Sequence, residues 1–151
     1  MHIATKSGKI DLLFENDTKK LANTISKKIK IGDIIYLYGE IGVGKTTFVK
    51  YLINSLQKRN NLTVTEVISP TFALLNEYQI KQFKINHFDL FRIKSSKEIE
   101  NLDLFTDRSS SITLIEWPQK IKKKPKNLIE LKFNYQNDYQ KRSVEIKGLS
   151  L

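Results

Sequence analysis

The stretch "LYGEIGVGKTTF", residues 37–48, places three of the chain's six glycines within six positions and follows them at once with a lysine and two threonines. Gly39, Gly44, Lys45 and Thr46 satisfy the pattern G-x-x-x-x-G-K-[ST]. A backbone without side chains can turn several N–H groups toward phosphate oxygens. The lysine then reaches the β- and γ-phosphates and the hydroxyl ligates Mg²⁺. The stretch therefore predicts a loop that binds a nucleoside triphosphate.

The sequence on either side gives this loop its structural context. The near-continuous apolar run "DIIYLYG" before it is typical of a strand buried on both faces, and "KTTFVKYLINSLQKR" behind it has apolar residues at helical spacing. A helix that begins near Lys45 adds unpaired N–H groups and a favourable dipole. We expect a Cβ at Gly42 or Gly44 to obstruct the wrapped loop. The predicted nucleotide-binding residues of the loop are Gly39, Glu40, Ile41, Gly42, Val43, Gly44, Lys45, Thr46 and Thr47.

The remaining pattern predicts one α/β domain over residues 1–151, because 151 residues suffice for one core and are too few for two ordinary domains. Alternating strands and helices favour a P-loop fold with a mainly parallel central sheet, flanking helices and additional antiparallel strands. The predicted strands are 9–15, 71–80, 83–91, 111–117, 127–135 and 143–149, and the predicted helices are 16–30 and 96–105.

Composition narrows the possible chemistry. The chain has no cysteine, and its two histidines stand far apart at positions 2 and 87, so we expect any metal to be held by oxygen ligands. We find no run that is apolar enough for a membrane helix and no signal-peptide pattern, which leads us to expect a cytoplasmic protein without a membrane partner.

The charge is less informative than its size suggests. The net charge of +10 comes from 26 Lys and Arg residues, of which only four are arginine. A lysine-rich composition is also what an AT-rich genome produces, so an RNA-binding role and a purely compositional bias both stay open. The one charged run, residues 120–126, is interpreted as a solvated loop between strands.

Two carboxylates are candidates for the metal site that a triphosphate needs. Glu116 ends the apolar run of residues 112–115, and Asp89 ends "KINHFD". A carboxylate at the carboxyl end of a buried strand lies on the edge where α/β folds bind ligands. Trp117 follows directly and is compatible with a core, interface or ligand contact.

The nucleotide and the reaction can also be narrowed from the residues. The N-K-x-D element typical of guanine-specific proteins is absent, which favours ATP. Four scattered arginines offer little to hold a phosphate acceptor or build a lid, so an ATPase is preferred over a phosphotransferase. Two alternatives remain open: a small-molecule kinase, and a nucleotide-switched RNA-binding module.

Four blocks in this order, "YLYGEIGVGKTTF", "SPTFALLNEY", "NHFDLFRI" and "LIEWPQK", closely resemble the bacterial TsaE (YjeE) ATPases of tRNA threonylcarbamoyladenosine biosynthesis. The resemblance covers nearly the whole chain. It implies a P-loop fold and Mg²⁺-dependent ATP hydrolysis that supports the TsaD and TsaB proteins. Those proteins modify adenosine 37 of tRNAs reading codons that begin with A, so tRNA contact is expected to be indirect.

The resemblance also implies roles for individual residues. Lys45 is the catalytic lysine, Thr46 and Glu116 are the Mg²⁺ ligands, and Asp89 is the acid needed for hydrolysis. The residues by themselves leave the reverse assignment of the two acids open. The resemblance further places Thr71 in a switch-like segment that senses the γ-phosphate, and Trp117 beside the nucleotide. It also implies that Thr18, at the start of a helix, and the hairpin at Arg142 both approach the nucleotide.

Overall fold

The computed structural model of the protein describes residues 8–136 and 139–151, so His2 lies outside the described residues. The described strands are β1 (Lys9–Asp11), β2 (Ile34–Tyr38), β3 (Leu75–Ile80), β4 (Phe83–Asp89), β5 (Ser111–Glu116), β6 (Leu128–Gln136) and β7 (Lys141–Lys147). The helices are α1 (Glu15–Ser26), α2 (Lys45–Arg59) and α3 (Ser96–Glu100), with 3₁₀ turns at Arg108–Ser110 and Pro118–Lys120.

All of these strands join one sheet in the order β1-β7-β6-β2-β5-β4-β3. The central strands β6, β2, β5 and β4 are parallel, whereas β1, β7 and β3 pair antiparallel at the two sides. The predicted α/β fold with a parallel centre and added antiparallel strands is therefore confirmed. Because parallel strands end at one edge, this order brings the ends of β2, β5 and β4 together.

Apolar side chains cover both faces of the sheet. On β2, Ile35 and Leu37 join the cluster that packs under α1 and α2, while Ile34 and Tyr36 point into a second cluster on the opposite face. This alternation explains the continuous apolar run. Because both faces of β2 are covered by other elements, neither face contacts solvent and neither requires polar residues. The 15-residue helix α2 matches its predicted bounds, and five of its apolar side chains are buried: Phe48, Val49, Leu52, Ile53 and Leu56.

Several predicted bounds were wrong at the ends of elements. Helix α1 ends at Ser26 rather than residue 30, and it begins earlier because the Asp17 carboxylate accepts a hydrogen bond from the Phe14 N–H at 3.0 Å. The predicted strand 71–80 starts only at Leu75, and the predicted helix 96–105 ends at Glu100. β1 is only three residues long, since the chain turns away to start α1.

The lysines of residues 120–126 are exposed, as predicted for a solvated loop, and two of them have partners. The Lys120 ammonium donates to the Ile93 carbonyl, and Lys124 Nζ lies 3.4 Å from Glu130 Oε1. Among the described residues, no helix combines the length and the apolar character that crossing a membrane would require.

Truncating Leu52 to alanine should destabilise the protein by about 2–5 kcal/mol, because the deletion leaves a cavity in a close-packed core. Leu52 is 0% exposed, whereas Leu13, the matched control, is 51% exposed. Leu13→Ala should change the free energy of unfolding by no more than about 0.5 kcal/mol. Urea unfolding measures both, and equal losses would contradict the described core.

Candidate active site

The phosphate loop runs from the end of β2 to the first residue of α2, and its three glycines have φ angles of 148° at Gly39, 78° at Gly42 and 115° at Gly44. The prediction named Gly42 and Gly44, and at Gly42 an added Cβ would lie 3.3 Å from the Tyr135 hydroxyl. The tightest position is Gly39, for which no obstruction was predicted, where an added Cβ would lie 2.7 Å from Val43 Cγ1 and 3.0 Å from the Phe133 carbonyl oxygen. At Gly44 a glycine is required, as predicted, but the predicted reason, obstruction by an added Cβ, was wrong. The nearest atom to an added Cβ is 3.8 Å away, so the backbone angle rather than space requires glycine.

Lys45, the first residue of α2, turns back over the loop. Its ammonium donates to the Gly39 carbonyl and lies 3.4 Å from the centroid of the Trp117 ring. The side chain is almost fully enclosed, and burial lowers the pKa of Lys45 to about 8 against the opposing pull of Glu116 and Asp89. Phosphate oxygens would favour the ammonium form by adding negative charge at close range.

Thr46, which follows Lys45 in α2, contacts Glu116 at the end of β5. The Thr46 hydroxyl donates to Glu116 Oε1 at 3.0 Å, and Glu116 Oε2 lies 2.6 Å from His87 Nε2. Glu116 is 2% exposed and His87 is 0% exposed. A hydroxyl and a carboxylate in contact are hard oxygen donors of the kind that Mg²⁺ prefers.

Asp89 stands beside this pair but has different partners. Its Oδ2 accepts hydrogen bonds from the Ser69 hydroxyl at 2.9 Å and the Thr71 hydroxyl at 3.0 Å, and its Oδ1 accepts from the Phe91 N–H at 2.9 Å. The segment before β3 is thereby tied to the end of β4. Asp89 thus connects the loop that carries Thr71 to the edge of the sheet that carries Glu116.

Sheet register produces this arrangement. Glu116 is the Cα partner of Leu37 on one side and of Asp89 on the other, so both acids lie level with the end of β2. The resulting cavity has a volume of about 340 Å³. Its lining includes Ile41, Gly42, Gly44, Lys45, Thr46, Thr47, Ser69, Thr71, Asp89, Phe91, Glu116 and Trp117.

Three predicted loop residues lie away from that cavity. Gly39, Glu40 and Val43 line a separate cleft on the other side of the loop, and the Val43 side chain is buried. Glu40 contributes through its backbone, because its carbonyl accepts from the Val43 N–H at 3.2 Å. These residues shape the loop rather than face the enclosed space beside Lys45.

Thr18 lies in a neighbouring cavity of about 290 Å³, which Arg142 also lines. Gly44 and Thr47 line both this cavity and the one at Lys45. The two cavities therefore adjoin each other at the loop. The Arg142 Nε is buried without a hydrogen-bond partner in the described part of the chain.

Trp117 makes two of the three kinds of contact that the sequence left open, a core contact and a contact at the candidate ligand site. Its ring packs at 4.9 Å from the Phe91 ring centroid and covers the Lys45 ammonium. Its backbone has a φ of 59°, an unusual conformation for a bulky residue, which turns the chain sharply from β5 into the 3₁₀ turn. The tryptophan is thus a wall of the cavity and part of the second core cluster.

Sequence reasoning missed two polar residues of the site. His87 was considered only as one of two distant histidines that do not make a metal site, and Ser69 was given no role. The available signal was strand periodicity: residues 87 and 89 lie on the same face of β4, so His87 points toward the site as Asp89 does. Nothing in the sequence indicated that the loop at Ser69 folds onto β4.

The parallel centre, the glycine loop between β2 and α2, and the carboxylates at the ends of β4 and β5 define a protein with the P-loop NTPase fold. The chain shares its fold with the crystal structure of Bacillus subtilis YdiB, with a TM-score of 0.66 and 23% identity. The superposition covers 92% of this chain and 83% of YdiB.

The family is shown by the sequence comparisons. The family model described as threonylcarbamoyl adenosine biosynthesis protein TsaE matches residues 13–144, and the chain belongs to the TsaE family. It is 41% identical over 108 residues to a Rickettsia felis tRNA threonylcarbamoyladenosine biosynthesis protein TsaE, covering 72% of this chain and 61% of the relative. A Rickettsia bellii protein of the same name is 40% identical over 125 residues, covering 82% of this chain and 84% of the relative.

Replacing Gly39 by alanine should destabilise the protein more than replacing Gly32 by alanine. Both glycines have positive φ angles, but an added Cβ at Gly32 meets nothing closer than 3.5 Å. The contacts at Gly39 should add roughly 1–3 kcal/mol to the backbone cost that the two variants share. Denaturant unfolding compares them, and an equal loss would show that space at Gly39 is not limiting.

Proposed function

We propose that this protein is a Mg²⁺-dependent ATPase that serves threonylcarbamoyl modification of adenosine 37 in tRNAs reading codons that begin with A. It acts as one cytoplasmic P-loop domain together with the TsaD and TsaB proteins, and tRNA contact is indirect. The observation that carries the proposal is the convergence of Lys45, Glu116 and Asp89 on one cavity at the phosphate loop. Membership of the TsaE family supports the biosynthetic role.

The residues present fit a magnesium ion bound with a triphosphate. Thr46 and Glu116 supply two adjacent oxygen groups, and the described residues contain no cluster of three or more His, Cys, Asp or Glu that would bind a metal alone. Mg²⁺ usually takes one or two protein ligands and completes its shell with phosphate oxygens and water. When bound, the ion would neutralise charge that develops on the β- and γ-phosphates.

Hydrolysis requires a water oxygen to attack the γ-phosphorus while the bond to the β-γ bridging oxygen breaks. Lys45 and the N–H groups at the start of α2 would bind the phosphates and stabilise the charge on the leaving ADP. Asp89 would orient the water and accept its hydrogen bond. The Thr71 hydroxyl, which is hydrogen-bonded to Asp89, would sense the γ-phosphate, so the position of the segment before β3 would depend on whether that phosphate is bound.

The rest of the nucleotide would extend toward Thr18 and Arg142. The cavity that these residues line adjoins the phosphate site at Gly44 and Thr47, and its size suits part of a nucleoside. This assignment gives the unpaired Arg142 Nε an acceptor, either on the sugar or on a phosphate. Thr18 would then contact the nucleotide through its side chain at the start of α1.

The same contacts give less support to the two alternative functions. A small-molecule kinase needs cations to hold an acceptor beside the γ-phosphate, yet the only cationic side chain that lines the described cavity is that of Lys45. A nucleotide-switched RNA-binding module would draw on the lysine run, where Lys120 and Lys124 already have partners. Acceptor-dependent ADP formation would favour the first, and salt-sensitive tRNA binding by the isolated protein the second.

Lys45→Ala should weaken ATP binding roughly 10- to 100-fold, the loss expected when a charge-assisted hydrogen bond is removed. It should also abolish ATP hydrolysis in the presence of TsaD, TsaB and tRNA. The matched control is Lys50→Ala on the exposed side of α2. ATPase assays at fixed Mg²⁺, with and without the partners, measure both variants. Activity that the partners do not raise would remove the pathway assignment and leave the ATPase assignment standing.

Asp89→Asn and Glu116→Gln should separate the roles of the two acids. Glu116→Gln should raise the Mg²⁺ concentration for half-maximal activity, because the amide is a weaker metal ligand. Asp89→Asn should instead lower kcat about 10²- to 10⁴-fold at an unchanged Mg²⁺ requirement. Magnesium titrations of steady-state ATPase activity test this, and the opposite pattern would exchange the two roles.

A further inference from the structure

His87 is the deepest polar residue of the site and has no role in the chemistry described above. It lies on β4, two residues before Asp89, and is 0% exposed. Its Nε2 atom lies 2.6 Å from Glu116 Oε2, while its Nδ1 atom has no hydrogen-bond partner among the described residues. A polar side chain buried this completely is costly unless its hydrogen bond compensates for lost water.

The hydrogen bond between these residues has one direction. A carboxylate that is to bind a metal is ionised and can only accept hydrogen bonds, so the His87 Nε2 must carry the hydrogen. The unpartnered Nδ1 agrees with this tautomer, since a hydrogen on Nδ1 would be a buried donor without an acceptor. The ring therefore donates from Nε2 toward one oxygen of Glu116.

This donor restricts the rotation of the Glu116 carboxylate. Oε2 lies 2.6 Å from His87 Nε2, and the Thr46 hydroxyl lies 3.0 Å from Oε1 and 3.3 Å from Oε2. Glutamate has three rotatable side-chain bonds, and a carboxylate without the His87 contact could turn away from the loop. Glu116 is itself the last residue of β5, so its backbone is fixed and only its side chain needs positioning.

We propose that His87 is a positioning residue that orients the Glu116 carboxylate toward Thr46 and the metal. The proposal rests on the proposed Mg²⁺-ATP site and adds a residue that touches neither nucleotide nor metal. Hydrogen bonds to metal-binding carboxylates restrict their orientation, and loss of such a contact typically costs 10- to 100-fold in metal affinity or activity. A histidine that only filled space would not affect the metal requirement.

Three substitutions test whether the Nε2 hydrogen bond matters. His87→Leu removes the donor at similar volume, His87→Gln can place an amide N–H near the Nε2 position, and His87→Asn carries its amide too close to the backbone to reach Glu116. We expect the leucine and asparagine variants to need 10- to 100-fold more Mg²⁺ for ATP binding. The glutamine variant should recover most of the wild-type requirement.

The readout is nucleotide binding rather than turnover. Trp117 is the single tryptophan of the chain and covers Lys45, so its fluorescence can follow ATP titrations at a series of Mg²⁺ concentrations and in EDTA. In EDTA the three variants should differ from the wild type far less than they do with Mg²⁺. Asn86→Ala, at a buried neighbour on the opposite face of β4, controls for general destabilisation and should keep the wild-type Mg²⁺ requirement.

Each outcome decides the question. Equal Mg²⁺ requirements in the glutamine and asparagine variants would overturn the positioning role, as would a wild-type requirement in a folded leucine variant. If the leucine variant does not fold, the glutamine and asparagine pair is sufficient. Wild-type protein that binds ATP without any dependence on Mg²⁺ would instead refute the proposed metal site, and the role of His87 with it.

Discussion

The parallel pairing of β2, β5 and β4 is the constraint on which the candidate site depends. Because Glu116 is in register with both Leu37 and Asp89, the two acids lie level with the end of β2, next to the start of the phosphate loop. A shift of one residue in either pairing would turn a carboxylate to the opposite face, since successive side chains of a strand alternate. The apolar residues on both faces of β2 and β5 fix that register, so the core determines where the charges lie.

A second constraint is that the charged side chains of the candidate site are buried. Lys45, Glu116 and Asp89 are 4%, 2% and 3% exposed, and groups so deeply buried need polar or aromatic partners. The cation contacts a carbonyl and an aromatic face, Glu116 contacts Thr46 and His87, and Asp89 contacts two hydroxyls and an N–H. The site is therefore preorganised before any ligand arrives, which limits the reorganisation that binding or catalysis would require.

The sequence was informative where the signal is local. The pattern around Gly39 and Lys45 predicted the loop and the α2 bounds, because a glycine pattern and helical spacing are properties of adjacent residues. Strand periodicity could have placed His87 on the same face as Asp89, but the contact of His87 with Glu116 and the contact of Ser69 with Asp89 join elements that meet only in the fold. Gly44 illustrates the intermediate case: glycine was correctly expected, but whether space or backbone angle demands it depends on neighbours such as Arg142.

The order of the strands has a consequence for how the chain reaches this state. Ile34 of β2 pairs with Thr113 and Leu128, and Lys9 of β1 pairs with Glu145, so the central strand and the first strand find their partners only in the last third of the sequence. During synthesis the phosphate loop would leave the ribosome long before the strands that hold it in place. Folding should consequently be late and cooperative, with the loop formed only when β5 and β6 close the sheet around β2.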